Sequence, residues 1–272
     1  MAVHIEKQHI KWLPLEANPE IVNENGIDAR WTYTDVFGKK KNDARQGLLS
    51  TWEMTRCFPS FLPLMTLVFD VGFEPELLAM VPQPVKAVIF LFPITQAYET
   101  YRQQQEKDLR EKYPNILDKT KHIHFFKQTI SNACGMIGLL HSLANNNGSN
   151  PTLISDTEAL FPKIIQDTEH MTPSERATYL EGCTALAKVH ADGAQEGQTE
   201  APSLEEQIYL HFICYVDIEG HLYELDGRQA FPVDHGKIEN SLLEDAAVVM
   251  KKFMALDPEE TNYSAIALTC DD

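Results

Sequence analysis

Cys134 stands in the run Gln128-Thr129-Ile130-Ser131-Asn132-Ala133-Cys134-Gly135-Met136-Ile137-Gly138. A helix is expected over residues 132–143, opened by a polar cap and closed by Ala144-Asn145-Asn146-Asn147-Gly148. That puts Cys134 in the first turn, where unpaired N–H groups and the helix dipole favour a thiolate. Gly135 beside it lets a substrate backbone come close. Gln128, ahead of the helix, could aim its side-chain amide at an oxygen that turns negative during attack, a donor worth about 3–4 kcal/mol in the transition state. Taken singly, Cys134 also fits a buried core thiol and Gln128 a surface amide. Their partners decide.

Ten histidines compete for the role of base. His141 lies on the same helix as Cys134 but about 10 Å further along at 1.5 Å per residue, beyond hydrogen-bond reach. His122 and His124 share one face of a strand-like segment with no carboxylate nearby, and read as ordinary polar residues. His211 is different. It sits inside the apolar run Leu210-His211-Phe212-Ile213-Cys214-Tyr215-Val216, where an imidazole is costly unless something satisfies it. The chain then turns at Asp217-Ile218-Glu219-Gly220 and returns through His221-Leu222-Tyr223-Glu224-Leu225-Asp226. If Val216 pairs with His221, Asp226 falls opposite His211 on the same face of the sheet, close enough to hold a ring nitrogen. An odd-length loop would send it to the other face. Cys214, on the face away from His211, reads as core. A thiol at a helix start, an imidazole on a strand and a carboxylate to orient it make the plan of a thiol hydrolase.

The elements that must position these groups are read as follows. Residues 31–37 alternate as a strand does, and 85–92 form an apolar run of buried-strand length. Residues 97–113 read as a solvated amphipathic helix, and a further helix is expected over 173–188. Residues 190–202 are poor in apolar side chains and read as a long mobile loop. Strands at 209–216 and 222–225, a helix near 242–256 and a strand at 264–269 complete an α+β pattern.

The 272 residues carry 23 Lys and Arg against 40 Asp and Glu, a net charge of −17. Such a chain repels nucleic acid and anionic membranes and attracts a basic partner. Its five cysteines are scattered, with no CxxC pair, so neither a zinc site nor a disulfide framework is suggested, and no cofactor is expected. The N-terminal fifteen or so residues carry His, Glu and Lys where a signal peptide would be apolar. The apolar stretches 58–69 and 85–95 are too short to span a bilayer. A reduced compartment, cytosol or nucleus, is the expectation.

These residues also resemble a known family, the ubiquitin C-terminal hydrolases of the papain-like class. The resemblance is carried by Phe126-Lys127-Gln128-Thr129-Ile130-Ser131-Asn132-Ala133-Cys134-Gly135, by Glu196-Gly197-Gln198-Thr199-Glu200-Ala201-Pro202, by Leu210-His211-Phe212, and by Gly220-His221-Leu222-Tyr223-Glu224-Leu225-Asp226-Gly227-Arg228. Near the start, Trp12-Leu13-Pro14-Leu15-Glu16-Ala17-Asn18-Pro19-Glu20 is similar as well. The resemblance implies one catalytic domain over residues 1–272, of the short kind that consists of that domain only. It implies a central antiparallel sheet between helices, threaded as a knot. Gln128 would be oxyanion donor, Cys134 nucleophile, His211 base and then acid, and Asp226 the residue that orients it, with no metal or cofactor. The implied partner is ubiquitin, bound by a monomer, with small adducts cleaved from its C-terminal glycine. The same chemistry on NEDD8, or a poorly active ubiquitin-binding module, stays open.

Residues near 188–206 resemble the crossover loop that spans the active site in this family. Two features depart from its pattern. The opening helix after Pro19 is short, because Asn25-Gly26 ends it. Residues 39–72 separate two stretches that the family keeps adjacent. That segment carries Lys39, Lys40, Lys41, Arg45 and Arg56 against Asp43, Glu53 and Asp70. It reads either as a surface insertion or as retained intron sequence that stays in frame.

Overall fold

The computed structural model describes residue 12 and residues 19–39, 73–148, 153–196 and 209–270. Its centre is a six-stranded sheet with every neighbouring pair antiparallel. The strands are β1 (Trp31–Lys39), β2 (Val85–Pro93), β3 (Leu210–Ile218), β4 (His221–Leu225), β5 (Val233–Lys237) and β6 (Tyr263–Cys270), in the order β1-β6-β2-β3-β4-β5. The α+β expectation holds. β2 is apolar on both faces because both are covered. Ala87 and Ile89 join one core, and Val88, Phe90 and Phe92 join the other.

On the first face lies α5 (Cys134–Ala144), following α1 (Pro19–Glu24), α2 (Pro75–Leu78), α3 (Gln96–Lys112) and α4 (Ile116–Lys119) in the chain. From Gly135 to Ala144 every residue of α5 is buried, as suits a helix that is apolar on all sides. Gly138 lets it approach the sheet, since a Cβ there would already touch Ile89 Cγ2 at 3.5 Å. Then come α6 (Leu160–Thr168), α7 (Pro173–Gly182) and α8 (Thr184–Glu196). On the second face lies α9 (Leu242–Leu256), capped by Ser241, whose hydroxyl accepts from the Glu244 amide at 3.2 Å. Its apolar stripe, Leu243, Ala246, Ala247, Met250 and Phe253, meets Val88, Phe90, Phe92 and Ile213. Phe253 alone contributes about 2–3 kcal/mol by leaving water.

Several expectations need correction. α5 starts at Cys134 behind Ala133, with no side-chain cap. Asn132, the expected polar cap, has φ 63 and gives its amide to the Trp12 carbonyl at 3.0 Å. The helix expected over 173–188 is two helices, broken at Cys183, where ψ is 88. The second, α8, runs on to Glu196, through much of the stretch read as a loop. Ala185, Ala187, Ala191 and Ala194 are strong helix formers, and low apolar content concealed that. The family-like crossover loop near 188–206 is therefore helical as far as Glu196, and residues 197–206 lie outside the described residues. So do residues 40–72 of the inserted segment.

The hairpin register also differs. β3 and β4 pair with Ile218 opposite His221, not Val216. The turn shrinks to Glu219-Gly220 with φ values of 56 and 80, the two positive angles of a tight hairpin whose twist matches its strands. Both loops have even length, so Asp226 keeps to the His211 face. It becomes a diagonal neighbour rather than a direct one, a separation of roughly 7–8 Å between such residues.

Candidate active site

β3 delivers His211 at its N-terminal end, buried, with its ring edge against Phe92 at 5.8 Å between centroids. Just past β4, the side chain of Asp226 bridges the diagonal gap: His211 Nε2 lies 2.6 Å from Asp226 Oδ1. The loop that follows builds the rest of the carboxylate's surroundings. The Arg228 amide donates to Oδ1 at 2.8 Å, and the Tyr98 hydroxyl, from the first turn of α3, donates to Oδ2 at 3.0 Å. With Nε2 committed to Asp226, Nδ1 is the ring nitrogen left to face Cys134, whose half-buried thiol lies near enough to the ring for each to shift the other's charge.

The charges follow from these contacts. Burial alone would raise the Asp226 pKa, but the His211 charge, its hydrogen bond and the donors Arg228 and Tyr98 outweigh it and hold the carboxyl below its usual range. Burial would likewise lower His211, and Asp226 and Cys134 reverse that, lifting the imidazole above its ordinary value. Cys134 is pushed up by burial and pulled down further by His211 and by the amides of Phe212 and Gly135. Both directions favour a thiolate beside an imidazolium that a buried carboxylate holds in place.

Gln128 reaches this place through its backbone. Its N–H donates to the Gly227 carbonyl at 2.9 Å. The approach is so close that a Cβ on Gly227 would lie 2.9 Å from Gln128 Cβ and 3.0 Å from Ile137 Cγ2. Three successive residues thus have three tasks: Asp226 holds the imidazole, Gly227 seats the Gln128 segment, and Arg228 gives its amide to Asp226. The Gln128 side-chain amide donates to the Ile130 carbonyl at 3.2 Å.

Sequence reasoning rejected His141 as the base and missed what it does. It is fully buried and accepts the Phe126 N–H at 2.9 Å, and burial chiefly lowers its pKa to about 3, so the ring is neutral. One turn on, Asn145 accepts the His124 N–H and donates to the His124 carbonyl, both at 3.0 Å. The pair fastens the segment leading to Gln128 onto α5. Their i, i+4 spacing on an apolar helix was the signal that could have found them. From the other side, buried Arg176 donates to the carbonyls of Phe125 at 3.3 Å and Thr168 at 2.9 Å. His124 is itself buried, with Nε2 2.9 Å from the Thr168 hydroxyl, whereas His122 is exposed; the segment is not a strand, and the two do not share the face expected of them.

Trp12 is a further missed residue. Its N–H donates to the Ser131 carbonyl at 3.0 Å, and its ring lies 4.5 Å from the His190 ring of α8. It therefore clasps the turn just before Cys134. Cys214 is fully buried and free, as expected, and burial raises its thiol pKa; Cys57 lies outside the described residues. A groove of about 840 Å³ opens at the far end of α5, lined by Asn145, Glu158, Arg176 and Glu219 among others, and none of Cys134, His211 and Asp226 borders it.

Residues 66–255 match the family model described as ubiquitin carboxyl-terminal hydrolase, family 1. A ubiquitin carboxyl-terminal hydrolase of Aplysia californica is 38% identical over 254 residues, covering 92% of this chain and 97% of its own. Ubiquitin carboxyl-terminal hydrolase 3 of Arabidopsis thaliana is 36% identical, covering 95% and 94%. The isozyme L1 of Rattus norvegicus is 33% identical, covering 94% and 96%. Among solved structures, the catalytic domain of Trichinella spiralis UCH37 bound to ubiquitin vinyl methyl ester is similar in fold, with a TM-score of 0.59 at 19% identity and 96% of both chains covered.

Proposed function

Because the chain belongs to the ubiquitin carboxyl-terminal hydrolase family, we propose that it is a deubiquitinating thiol hydrolase whose nucleophile is Cys134. The observation that carries the reading is the buried His211–Asp226 pair, with 2.6 Å between His211 Nε2 and Asp226 Oδ1, beside a Cys134 thiol that the imidazole draws toward its charged form. The Cys134 thiolate attacks the carbonyl carbon of the last glycine of ubiquitin. The carbonyl oxygen takes the negative charge and is received by N–H groups at the start of α5 and by Gln128, once its side-chain amide turns from Ile130. The C–N or C–O bond to the adduct then breaks, and the His211 imidazolium gives the leaving group its proton. What remains is a thioester and a neutral imidazole. That imidazole takes a proton from water, the resulting hydroxide attacks the thioester, and the thiolate leaves. Asp226 keeps the ring in one orientation and stabilises its charged form throughout.

The substrates of this reading are small adducts of ubiquitin, and the protein acts as a monomer in the cytosol or nucleus. The unpaired state of Cys134, Cys183 and Cys214 fits a reducing compartment. The net charge of −17 fits a basic tail on the partner. Turnover of fluorogenic esters of ubiquitin and of NEDD8, measured side by side with the wild type and Cys134→Ala, tests the proposal. Preferential ubiquitin cleavage, abolished in the variant, is expected. Equal or faster NEDD8 cleavage would move the substrate assignment. Binding of ubiquitin without turnover in the wild type would make the protein a ubiquitin-binding module instead.

A further inference from the structure

We propose that Tyr98 is a positioning residue of this reaction: its hydroxyl, fixed on the first turn of α3, holds one oxygen of Asp226 so that the other is presented to His211. The inference rests on the reading of Cys134, His211 and Asp226 above and adds a fourth member to it. Asp226 is fully buried, so water is not at hand to solvate whichever oxygen the protein leaves bare. Oδ1 is taken by His211 Nε2 and the Arg228 amide. Oδ2 receives the Tyr98 hydroxyl at 3.0 Å. A carboxylate held by one oxygen can swing about its terminal torsion, which is soft. One held by both cannot.

Tyr98 is itself held on every side. Its N–H donates to the Thr95 hydroxyl at 3.2 Å, which caps α3. Its ring lies 4.6 Å from that of Phe92, the residue that also faces the His211 ring, and 5.6 Å from that of Phe253. The next residue, Glu99, accepts from the Arg228 guanidinium. The first turn of α3 thus grips the Asp226 loop at two places. Burial and the neighbouring Asp226 charge keep the Tyr98 hydroxyl protonated far into alkaline solution, so it remains a donor wherever the enzyme works.

Titratable or charged neighbours of Asp226 come from every element around it: His211 on β3, Glu224 on β4, Arg228 in its own loop, Arg102 on α3 and His141 on α5. Tyr98→Phe removes one hydroxyl and leaves all of these in place. As Tyr98 is only 3% exposed, it cannot touch ubiquitin. The measurements are kcat, KM, the pH profile of kcat/KM and Tm for Tyr98→Phe, with Tyr33→Phe as a matched control. Tyr33 is another buried tyrosine, and its hydroxyl lies 2.5 Å from that of Ser142.

Expected for Tyr98→Phe are an unchanged KM, a kcat lower by about tenfold, the effect of one hydrogen bond to a charged group, and an alkaline limb moved to lower pH. The limb moves because a carboxylate free to swing away stabilises the imidazolium less. Tyr33→Phe should lower Tm to a similar extent and leave kcat and both limbs alone. Wild-type kcat and limbs in Tyr98→Phe would overturn the proposal. So would a kcat loss shared by both variants in step with Tm, which marks a folding role only. An alkaline limb moved to higher pH would overturn it too, because the carboxylate would then have stayed in place and merely become more basic. Turnover by Cys134→Ala is a separate outcome: it would sink the underlying reading whatever Tyr98→Phe does.

Discussion

A carboxylate, an imidazole and a thiol, each buried or half-buried, would separately resist ionisation; held in contact, they ionise one another. His211 is lifted above and Cys134 drawn below its ordinary value, so the two shifts together favour the ion pair over the neutral pair. The signs fix the profile. Reactivity fails on the acid side as the thiolate gains a proton below its lowered pKa, and on the alkaline side as His211 loses one above its raised pKa. The rate of Cys134 alkylation by iodoacetamide against pH checks the first limb. In His211→Ala the thiol keeps the burial that raises its pKa and loses its partner, so alkylation at neutral pH should slow about tenfold or more, one pKa unit being a factor of ten. An unchanged rate would mean that His211 does not set the thiol's charge. At this scale much was legible. Cys134, His211 and Asp226 stood out by type and setting, and the even turn kept the latter two on one face. Tyr98 was not legible, because a tyrosine on a polar helix gives no hint that its hydroxyl enters the core two strands away.

Helices and strands deliver these residues, and the segments that carry Asp226 and Gln128 meet at a tight seam at Gly227. A methyl group there would lie 2.9 Å from Gln128 Cβ and 3.0 Å from Ile137 Cγ2. Gly227→Ala should therefore push the Gln128 segment off α5 and cost about 1–3 kcal/mol, as other overpacked sites do. Urea unfolding measures that loss, and kcat should fall with it, since the seam carries Asp226 on one side and Gln128 on the other. Wild-type stability and kcat would show that the seam yields freely. The elements that the sequence made plain are those with a long apolar run or a clear apolar stripe and deep burial: β2, α5 and α9. Only the later half of α8 was hidden, because residues 190–202 are poor in apolar side chains; there the contact of His190 with Trp12, distant in the chain, supplies what the local pattern does not. β5 was hidden for another reason. Val233-Asp234-His235-Gly236-Lys237 at the sheet's edge has few of the branched and aromatic residues that mark a strand.

The molecule as a whole carries −17, and its partner in the proposed reaction presents a basic tail. Opposite charges steer an encounter more than they hold a complex, and salt screens them within about 10 Å at 0.1 M. The specificity constant for a ubiquitin ester should then fall as ionic strength rises from low to moderate, with kcat much less affected. A salt-independent specificity constant would reduce the acidity to a matter of solubility. The net charge was plain in the sequence, as was the order of the family-like segments. Which residues the charge serves was not, because steering depends on where the acidic side chains lie on the folded surface.

Covalent trapping tests the central claim most directly. The protein is incubated with ubiquitin carrying an electrophilic C-terminus, and the product is weighed intact and then mapped by peptide mass spectrometry. A single ubiquitin adduct on Cys134, absent from Cys134→Ala and slowed in His211→Ala, is the expected result. An adduct on Cys183 or another cysteine, or trapping that survives Cys134→Ala, would contradict the account.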